Sequence, residues 1–205
     1  MLGKFIAIEG PDGCGKTTVI SRLKEYVSEH NLGVRFTREP GGTRISEKIR
    51  EILLDPSTPE MSEYTEAYLY AASRLQHTEE FIVPSLESGQ HVISDRYAMA
   101  SIAYQGYGRS RNASFIRNLN QPAVDMIGKV HYIVLMIPPE EGILRKKGQK
   151  ELDRLEMETL DFHKRVYNGY ESLIDETEAI SIDASKPVEE VVQDVFQALT
   201  YIGIF

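Results

Sequence analysis

The chain has 205 residues, a length that fits one domain with a full hydrophobic core and is too short for two independent ones. Its 23 lysines and arginines against 31 aspartates and glutamates give a net charge of −8, which excludes a general basic field for nucleic acid or an anionic membrane. An anionic ligand would therefore have to be held by cations gathered at one place. The single cysteine, Cys14, excludes an internal disulfide and favours a reduced, cytoplasmic protein.

Short apolar segments bounded by turn residues alternate along the chain with amphipathic segments of helix length. We predict strands at residues 5–9, 34–38, 91–95, 130–137 and 179–183. We predict helices at residues 17–30, 46–54, 62–87, 112–127, 140–147, 153–174 and 188–201. This alternation predicts an α/β fold with a parallel sheet that helices cover on both faces. The longest apolar run, residues 132–137, is too short to span a membrane, and too few residues precede the first strand for a signal peptide.

The first predicted strand runs directly into a phosphate loop. Residues 10–17 read Gly-Pro-Asp-Gly-Cys-Gly-Lys-Thr, the G-x-x-x-x-G-K-T pattern, and a helical segment follows. In such a loop backbone N–H groups wrap the phosphates of a nucleotide, Lys16 reaches the same oxygens, and the Thr17 hydroxyl can bind Mg²⁺. A glycine-rich turn with a chance lysine is the alternative. The predicted nucleotide-binding residues are Gly10, Pro11, Asp12, Gly13, Cys14, Gly15, Lys16, Thr17 and Thr18.

Charged residues end four of the predicted strands: Glu9, Arg38, Asp95 and Asp183. Ligands of open parallel sheets lie beyond the carboxyl ends of the strands, so we expect these side chains to converge on one crevice. Arg38 could grip a second phosphate bidentately, although the Pro-Gly-Gly that follows would also serve as a plain turn. Asp95 could hold the Mg²⁺ shell and Arg96 could neutralise an incoming phosphoryl group; a weak surface ion pair is the alternative.

Two further segments carry candidate ligand-binding residues. Tyr70 and Arg74 are four apart in a predicted helix, so they share a face and could cradle a flat base. On this pair alone, simple packing in the core is the better explanation. Residues 144–154 form a cationic run with a central glycine, which is usually a solvated surface. Over a phosphate loop the same run would be a lid whose cations meet the charge of the transferring group.

Taken together, these motifs resemble those of the bacterial-type thymidylate kinases, which phosphorylate dTMP to dTDP with ATP. The matching elements are Ile8-Glu9-Gly10 into the phosphate loop, residues 37–43, Ala71-Ala72-Ser73-Arg74, Asp95-Arg96-Tyr97, Ser101, residues 103–106 and Leu152-Asp153-Arg154. Their order and spacing are those of the family. The resemblance implies the P-loop nucleoside-monophosphate-kinase fold, a five-stranded parallel sheet flanked by helices. It also implies a single domain with a lid at about residues 142–154, and a homodimer.

The resemblance also implies roles for individual residues, with ATP and Mg²⁺ as cofactors and Thr17 and Asp95 as metal ligands. The catalytic residues would be Lys16, Asp95, Arg96, Arg145, Lys147 and Arg154. The dTMP would be bound by Asp12, Arg38, Glu39, Arg50, Tyr70, Arg74, Arg96, Ser101, Tyr104 and Gln105. Among these, Tyr70 would stack on thymine, and Tyr104 would lie against the sugar, where it would crowd a 2′-hydroxyl.

Some positions bear on how the catalytic cations are arranged. Residue 13 is Gly, where one subgroup of the family carries an arginine, and the basic lid resembles that of the other subgroup. Gln149 stands where such lids often have a third arginine, and Lys150 is a possible substitute. Residue 44 is Arg where proline is frequent.

The residues also leave rival functions to weigh. A kinase acting on a nucleoside or on another monophosphate is one, but Arg38 and Arg96 would lack an anion if the acceptor were a neutral nucleoside. A switch GTPase or motor-like ATPase is another, and it would hydrolyse nucleotide without an acceptor. The guanine-reading Asn-Lys-x-Asp motif does not occur in the sequence. A degenerate scaffold is a third, and the intact Lys16 and Asp95 argue against it.

Overall fold

A five-stranded parallel sheet forms the centre of the computed structural model, which describes residues 2–146 and 153–205. The strand order is β2-β3-β1-β4-β5. The strands are β1 (Phe5–Glu9), β2 (Val34–Arg38), β3 (His91–Asp95), β4 (Val130–Met136) and β5 (Ile180–Asp183). The predicted strands and their parallel arrangement are therefore confirmed. The prediction errs by one residue at the end of β4 and at the start of β5.

The helices lie on both sides of this sheet. They are α1 (Lys16–Glu29), α2 (Arg44–Leu54), α3 (Glu63–His77), α4 (Val83–Glu87), α5 (Ala98–Ser101), α6 (Ala113–Ile127), α7 (Pro139–Lys146), α8 (Leu160–Glu176) and α9 (Val188–Ile202). A π-helical segment at Thr78–Ile82 joins α3 to α4, and a second one at Ile102–Gly108 continues α5. The helical stretch after β3 is absent from the predicted elements.

Side-chain caps explain where several helices begin. Thr43 accepts a hydrogen bond from Ser46 N, Ser62 accepts one from Thr65 N, and Thr159 accepts one from Phe162 N. Such a cap satisfies one of the N–H groups that the first turn leaves free. The predicted helix at 153–174 was wrong at its start, because α8 begins at Leu160, directly after its cap Thr159. Residues 153–159 instead form a separate turn, in which Asp153 Oδ1 accepts from Leu155 N and Glu156 N, both at 2.9 Å.

Alternate residues of β1 pack on opposite faces of the sheet. Ile6 and Ile8 belong to the core between the sheet and helices α1 and α9. Phe5 and Ala7 belong to a second core on the other face. Because β1 is buried along its whole length at the centre of the sheet, the loop after Glu9 begins at the middle of the carboxyl edge.

The search for membrane-spanning segments covered the residues that the structure describes. None of their helices has both the length and the apolar character needed to cross a bilayer.

Candidate active site

The phosphate loop, residues 10–17, connects β1 to α1 and curls around its own lysine. Gly10, Gly13 and Gly15 have φ angles of 137°, 78° and 93°, a region that other residues rarely enter. Lys16 is 8% exposed, and its Nζ donates to Gly10 O at 2.9 Å and Pro11 O at 3.1 Å. The loop therefore holds its cation at the mouth of the backbone curl, where a phosphate would be bound.

The glycine at position 13 is required by close packing against α7. A Cβ at residue 13 would lie 2.2 Å from Gly142 O, and a Cβ on Gly142 would lie 2.4 Å from Asp12 O. Both distances are far below van der Waals contact. A side chain at position 13 is thus incompatible with this packing, which gives a physical reason for an arginine-free loop. The same contact brings α7, with Arg145 near its end, against the loop.

Asp95 ends β3 beside the loop and lines the same pocket as Thr17. Its Oδ1 is buried and has no hydrogen-bond donor among residues 2–146 and 153–205. A buried carboxylate oxygen without a partner is costly unless a cation satisfies it. Carboxylate and hydroxyl oxygens are the ligands that Mg²⁺ takes from proteins, usually only one or two per site. In agreement, the described residues contain no cluster of three acidic, histidine or cysteine ligands.

Arg96 follows β3 and points its guanidinium back at the phosphate loop. It donates to Gly10 O at 2.8 Å, Asp12 Oδ1 at 2.6 Å, Tyr170 Oη at 3.2 Å and Tyr104 Oη at 3.3 Å. Burial raises the pKa of Asp12, but the charges of Arg96 and Lys16 and the hydrogen bond from Tyr104 together outweigh it, so the pKa lies below the ordinary value. Arg96 has a φ of 72°, rare for a residue with a side chain. Strain of this kind is often found where a side chain must be aimed.

Glu9 lies behind Arg96 and is fully buried. Its Oε1 accepts from Tyr97 N at 2.7 Å and Ala100 N at 3.3 Å, and its Oε2 accepts from Tyr170 Oη at 3.0 Å. Burial raises the pKa of Glu9 to about 7, although the charge of Arg96 opposes the shift. The expectation that all four strand-end charges line one crevice was therefore wrong for Glu9, which supports the site from below.

Of the other strand-end residues, Arg38 and Asp95 line the phosphate-loop pocket, together with Lys16, Thr17 and Arg145. Asp183 is exposed and accepts two hydrogen bonds from Ser185, at 2.9 Å from the backbone and 2.6 Å from the hydroxyl. Asp183 does not line the phosphate-loop pocket. The prediction from strand-end charge was therefore right for Arg38 and Asp95 and wrong for Glu9 and Asp183. The reason is that different elements cover the carboxyl edge of the sheet at each strand.

A second pocket opens beside the phosphate loop. We call it the acceptor pocket. The residues predicted to bind the substrate line it, with the exception of Arg38: Asp12, Glu39, Arg50, Tyr70, Arg74, Arg96, Ser101, Tyr104 and Gln105. Asp12, Glu39, Arg50 and Arg96 also line the phosphate-loop pocket, so the two cavities are joined. The structure thus brings together residues that stand far apart in the sequence.

Buried ion pairs hold the inner wall of the acceptor pocket. Arg74 is 2% exposed, and its Nε donates to Glu39 Oε2 at 2.7 Å while its Nη1 donates to Ser101 Oγ at 3.0 Å. The same guanidinium also contacts Asn120, and His77 Nδ1 lies 2.9 Å from Glu39 Oε1. Both oxygens of the Glu39 carboxylate are therefore engaged. Glu39 lines the pocket, but its observed contacts orient Arg74.

The far end of the acceptor pocket contains Tyr70 and Gln105. Gln105 Nε2 donates to Oε1 of Glu66, a carboxylate with no exposure, at 2.9 Å. The predicted catalytic residue Arg154 also lies here: its guanidinium pairs with Glu66 at 2.6 Å, and its Nε donates to Leu53 O at 3.1 Å. In this structure Arg154 faces the wall of the acceptor pocket rather than the phosphate loop.

The other predicted lid cations are placed differently. Arg145 lines the phosphate-loop pocket and donates from Nη1 to Ala184 O at 3.0 Å. Lys147 and the possible substitute Lys150 lie outside the described residues. Asp153 was given no role in the sequence analysis, yet it lines both pockets, and burial raises the pKa of its carboxyl group.

Sequence reasoning missed Glu66, Asn120 and Tyr170 as parts of the site, and it placed Glu9 in the crevice rather than behind Arg96. For Glu66 a signal existed, because it precedes Tyr70 by four residues on α3 and so shares its face. Nothing in the neighbourhood of Tyr170 or Asn120 marks them, since their partners belong to distant segments.

Comparison with known proteins shows similarity along nearly the whole chain. A family model described as "Thymidylate kinase" matches residues 8–195. The chain is 45% identical over 195 residues to a thymidylate kinase of Geobacillus sp. (strain WCH70), covering 93% of each. It is 42% identical over 203 residues to one of Bacillus pumilus (strain SAFR-032), covering 97% of this chain and 96% of the relative. The crystal structure of thymidylate kinase from Ehrlichia chaffeensis matches with a TM-score of 0.75 and 29% identity, over 98% of this chain and 99% of that one.

Proposed function

The chain belongs to the thymidylate kinase family and phosphorylates dTMP to dTDP with ATP, and we propose that its two joined pockets divide this reaction between them. The phosphate-loop pocket holds the triphosphate of ATP, and the acceptor pocket holds dTMP. One observation carries this assignment: Asp12, Glu39, Arg50 and Arg96 line both pockets. The acceptor phosphate and the γ-phosphate of ATP therefore meet where the two cavities join.

In phosphoryl transfer, the main tasks of the protein are to position the two substrates and to stabilise negative charge. In our proposal an oxygen of the dTMP phosphate attacks the γ-phosphorus, and the bond to the β-phosphate oxygen breaks with its electron pair leaving on ADP. Lys16 exchanges its carbonyl partners for phosphate oxygens. Arg96 is held in place by Asp12 and Gly10 O and faces the phosphoryl group that is being transferred. Both cations act on charge that builds in the transition state.

The acceptor phosphate is assigned to Arg50 and Arg38, with Arg96 on its other side. Arg50 lines both pockets, and its Nη1 donates to Pro40 O at 2.8 Å. Burial, with the neighbouring charge of Arg38, lowers the pKa of Arg50. Cations that repel each other in a partly buried site favour the binding of an anion between them.

We assign Mg²⁺ to Thr17 and Asp95. The unpaired, buried Oδ1 of Asp95 supports this assignment, as does the hydroxyl of Thr17 in the same pocket. When bound, the ion would neutralise part of the negative charge of the ATP phosphates.

Arg145, Lys147 and Arg154 are assigned to the transferring phosphoryl group as lid cations. The position of Arg145 in the phosphate-loop pocket supports its assignment. Arg154 would first have to leave Glu66, its partner in this structure. Its assignment is therefore a distinct hypothesis that a single substitution can test.

The nucleoside of dTMP is assigned to the walls of the acceptor pocket. Tyr70 stacks on thymine, Arg74 and Gln105 meet the edge of the base, and Ser101 lies beside them. The Tyr104 hydroxyl donates to Asp12 Oδ2 at 2.8 Å, which fixes the ring at the place proposed for the sugar. A ring held in this way leaves little room for a 2′-hydroxyl, so the enzyme should prefer deoxynucleotides.

We also propose that the protein is a cytoplasmic homodimer. An exposed aromatic cluster on α3 and α6 supports the dimer: Tyr64 and Tyr68 are 53% and 55% exposed, and both rings pack against Phe115. Apolar rings grouped on a surface are typical of interfaces. Sedimentation should show a dimer for the wild type and a monomer for the double variant Tyr64→Lys, Tyr68→Lys. A variant that stays dimeric would exclude this surface. The free thiol of Cys14 agrees with a reducing compartment.

The proposed activity is tested by measuring ADP release with ATP, Mg²⁺ and a panel of acceptors. We expect rapid release with dTMP, slower release with dUMP, little with UMP, and almost none without an acceptor. Equal rates with dTMP and UMP would contradict the role of Tyr104. Rapid release without any acceptor would indicate an ATPase and overturn the proposed function.

A further inference from the structure

Glu66 on α3 is a fully buried carboxylate that accepts hydrogen bonds from Gln105 and Arg109, which belong to one segment, and forms an ion pair with Arg154 from another. Gln105 Nε2 donates to its Oε1 at 2.9 Å. Arg109 Nη2 lies 3.1 Å from its Oε2, and Arg154 Nη2 lies 2.6 Å from the same oxygen. Arg109 is itself paired with Glu158. The two guanidiniums compensate the buried negative charge, so the carboxylate can remain inside the protein as an acceptor.

This carboxylate determines which end of the Gln105 amide faces the acceptor pocket. A carboxylate only accepts hydrogen bonds, and an amide offers a donor NH₂ and an acceptor oxygen. The reversed amide would place its oxygen lone pairs against the charged carboxylate, so the NH₂ group must face Glu66. Gln105 lines the acceptor pocket. Its carbonyl oxygen is therefore left as an acceptor for a base, beside the second N–H of the amide, which can only donate.

An acceptor at this place distinguishes pyrimidine bases by their edges. Thymine and uracil carry an N–H donor at N3, which a carbonyl oxygen can accept. Cytosine carries an unprotonated N3, itself an acceptor, which would face the same oxygen without a hydrogen between them. A site that leaves a buried polar group unpaired rejects the wrong substrate strongly.

We propose that Glu66 is a specificity-determining positioning residue: by fixing the Gln105 amide, it makes the acceptor pocket select bases with a donor at N3. This inference rests on the proposed function, because it places the base beside Gln105. It assigns Glu66 no contact with the substrate. Its effect is carried through the orientation of one side chain.

The decisive variant is Glu66→Gln, which keeps the size of the side chain but can either donate or accept. The Gln105 amide can then adopt both orientations. We expect the ratio of kcat/KM for dTMP over dCMP to fall about tenfold or more, mainly through KM. The matched control is Glu158→Gln, which removes the other acidic partner of Arg109 but does not touch Gln105. It should leave the ratio unchanged.

Loss of a buried charge can also prevent folding, so a second variant is needed. Glu66→Asp keeps the charge that pairs with both arginines but withdraws the carboxylate from Gln105 by one methylene group. It should lower the selectivity ratio while circular dichroism and melting stay close to wild type. A folded Glu66 variant with the wild-type ratio would overturn the inference.

Binding measurements separate this inference from the proposed function. Calorimetry gives the affinities for dTMP and dCMP without any turnover, and the same fall in their ratio is expected for both Glu66 variants. If the wild type binds dTMP tightly but transfers no phosphoryl group, the proposed function fails while the affinity ratio still decides the role of Glu66.

Discussion

The phosphate-loop pocket and the acceptor pocket share a wall, yet their polar groups are used in opposite ways. Among the described residues of the first, Lys16 is held only by backbone carbonyls and the sulfur of its own loop, and Asp95 Oδ1 has no donor. In the second, Arg74 and Gln105 are already paired with the buried carboxylates Glu39 and Glu66. One region keeps its polar groups available for a ligand, and the other fixes them beforehand.

This difference follows from what each region has to recognise. Phosphate charge is large and nearly isotropic, so available cations and backbone N–H groups can meet it from several directions. A base is neutral and is distinguished only by where its donors and acceptors lie. Its recognition requires side chains that cannot turn to suit another base, and buried ion pairs supply that rigidity.

The largest expected effect tests two cations of the phosphate-loop pocket, Lys16 and Arg96. Lys16→Ala and Arg96→Ala should each lower turnover about a hundredfold or more, because both act on charge in the transition state. Binding of dTMP should change less for Lys16→Ala, since that residue faces ATP. Steady-state kinetics and calorimetry measure the two effects, and Lys24→Ala, an exposed lysine of α1, is the matched control. Near-normal turnover in a variant that melts like the wild type would refute its role.

The next prediction compares two buried carboxylates, Glu66 at the acceptor pocket and Glu9 behind the phosphate loop. Glu66 is paired with guanidiniums, whereas the bonds to Glu9 come from a tyrosine hydroxyl and backbone N–H groups. Burial raises the pKa of Glu9 from 4.5 to about 7, so the folded state holds this proton more tightly than the unfolded state. The stability that this provides is complete below about pH 4.5 and is lost as the pH rises through about 7.

Glu9→Gln should remove this dependence. Relative to wild type, the free energy of unfolding of the variant should rise by about 3 kcal/mol at most between pH 4.5 and pH 8. Urea unfolding of both proteins at a series of pH values measures this difference in free energy. The altered hydrogen bonds of the variant add an offset that does not depend on pH. Parallel curves for the two proteins would mean that Glu9 keeps an ordinary pKa in the folded state.

A smaller effect tests the close contact between the phosphate loop and α7. Gly13→Ala should destabilise the protein by about 1–3 kcal/mol, because its Cβ would overlap Gly142 O. Gly128→Ala is the matched control: Gly128 has nearly the same φ, 79° against 78°, but no other described residue comes within 4 Å of where its Cβ would lie. Thermal melting should show a larger loss for Gly13→Ala. Equal losses would attribute the effect to backbone strain alone.

The smallest effect separates two arginines of the predicted lid, Arg145 and Arg154. Arg145→Gln should lower kcat about tenfold, or about 1.4 kcal/mol, with little change in the KM for dTMP, because Arg145 lines the phosphate-loop pocket. Arg154→Gln should instead raise the KM for dTMP, because Arg154 contacts Glu66. If Arg154→Gln lowers kcat alone, the arginine leaves Glu66 during the reaction and acts as a lid cation.

Much of the architecture was predictable because its signals are local. Period-two and period-3.6 patterns located the strands and most helices, and the Gly-Lys-Thr motif located the loop that lines the phosphate-loop pocket. The helical stretch after β3 was missed: it follows Arg96, whose left-handed φ has no sequence signature when the residue is not glycine. The start of α8 was misplaced because the Asp153 turn imitates the first turn of a helix.

The set of residues around the acceptor came from resemblance to a known family. What the sequence determined by itself was the phosphate loop and the parallel sheet. These depend on backbone conformation and on periodicity, which neighbouring residues encode. Only the tertiary structure decided what each buried polar group pairs with. Glu9 meets Tyr170 across 161 positions, and Gln105 meets Glu66 across 39. Such pairings depend on how distant elements pack, because a buried donor must find its acceptor among whatever side chains the fold brings within reach.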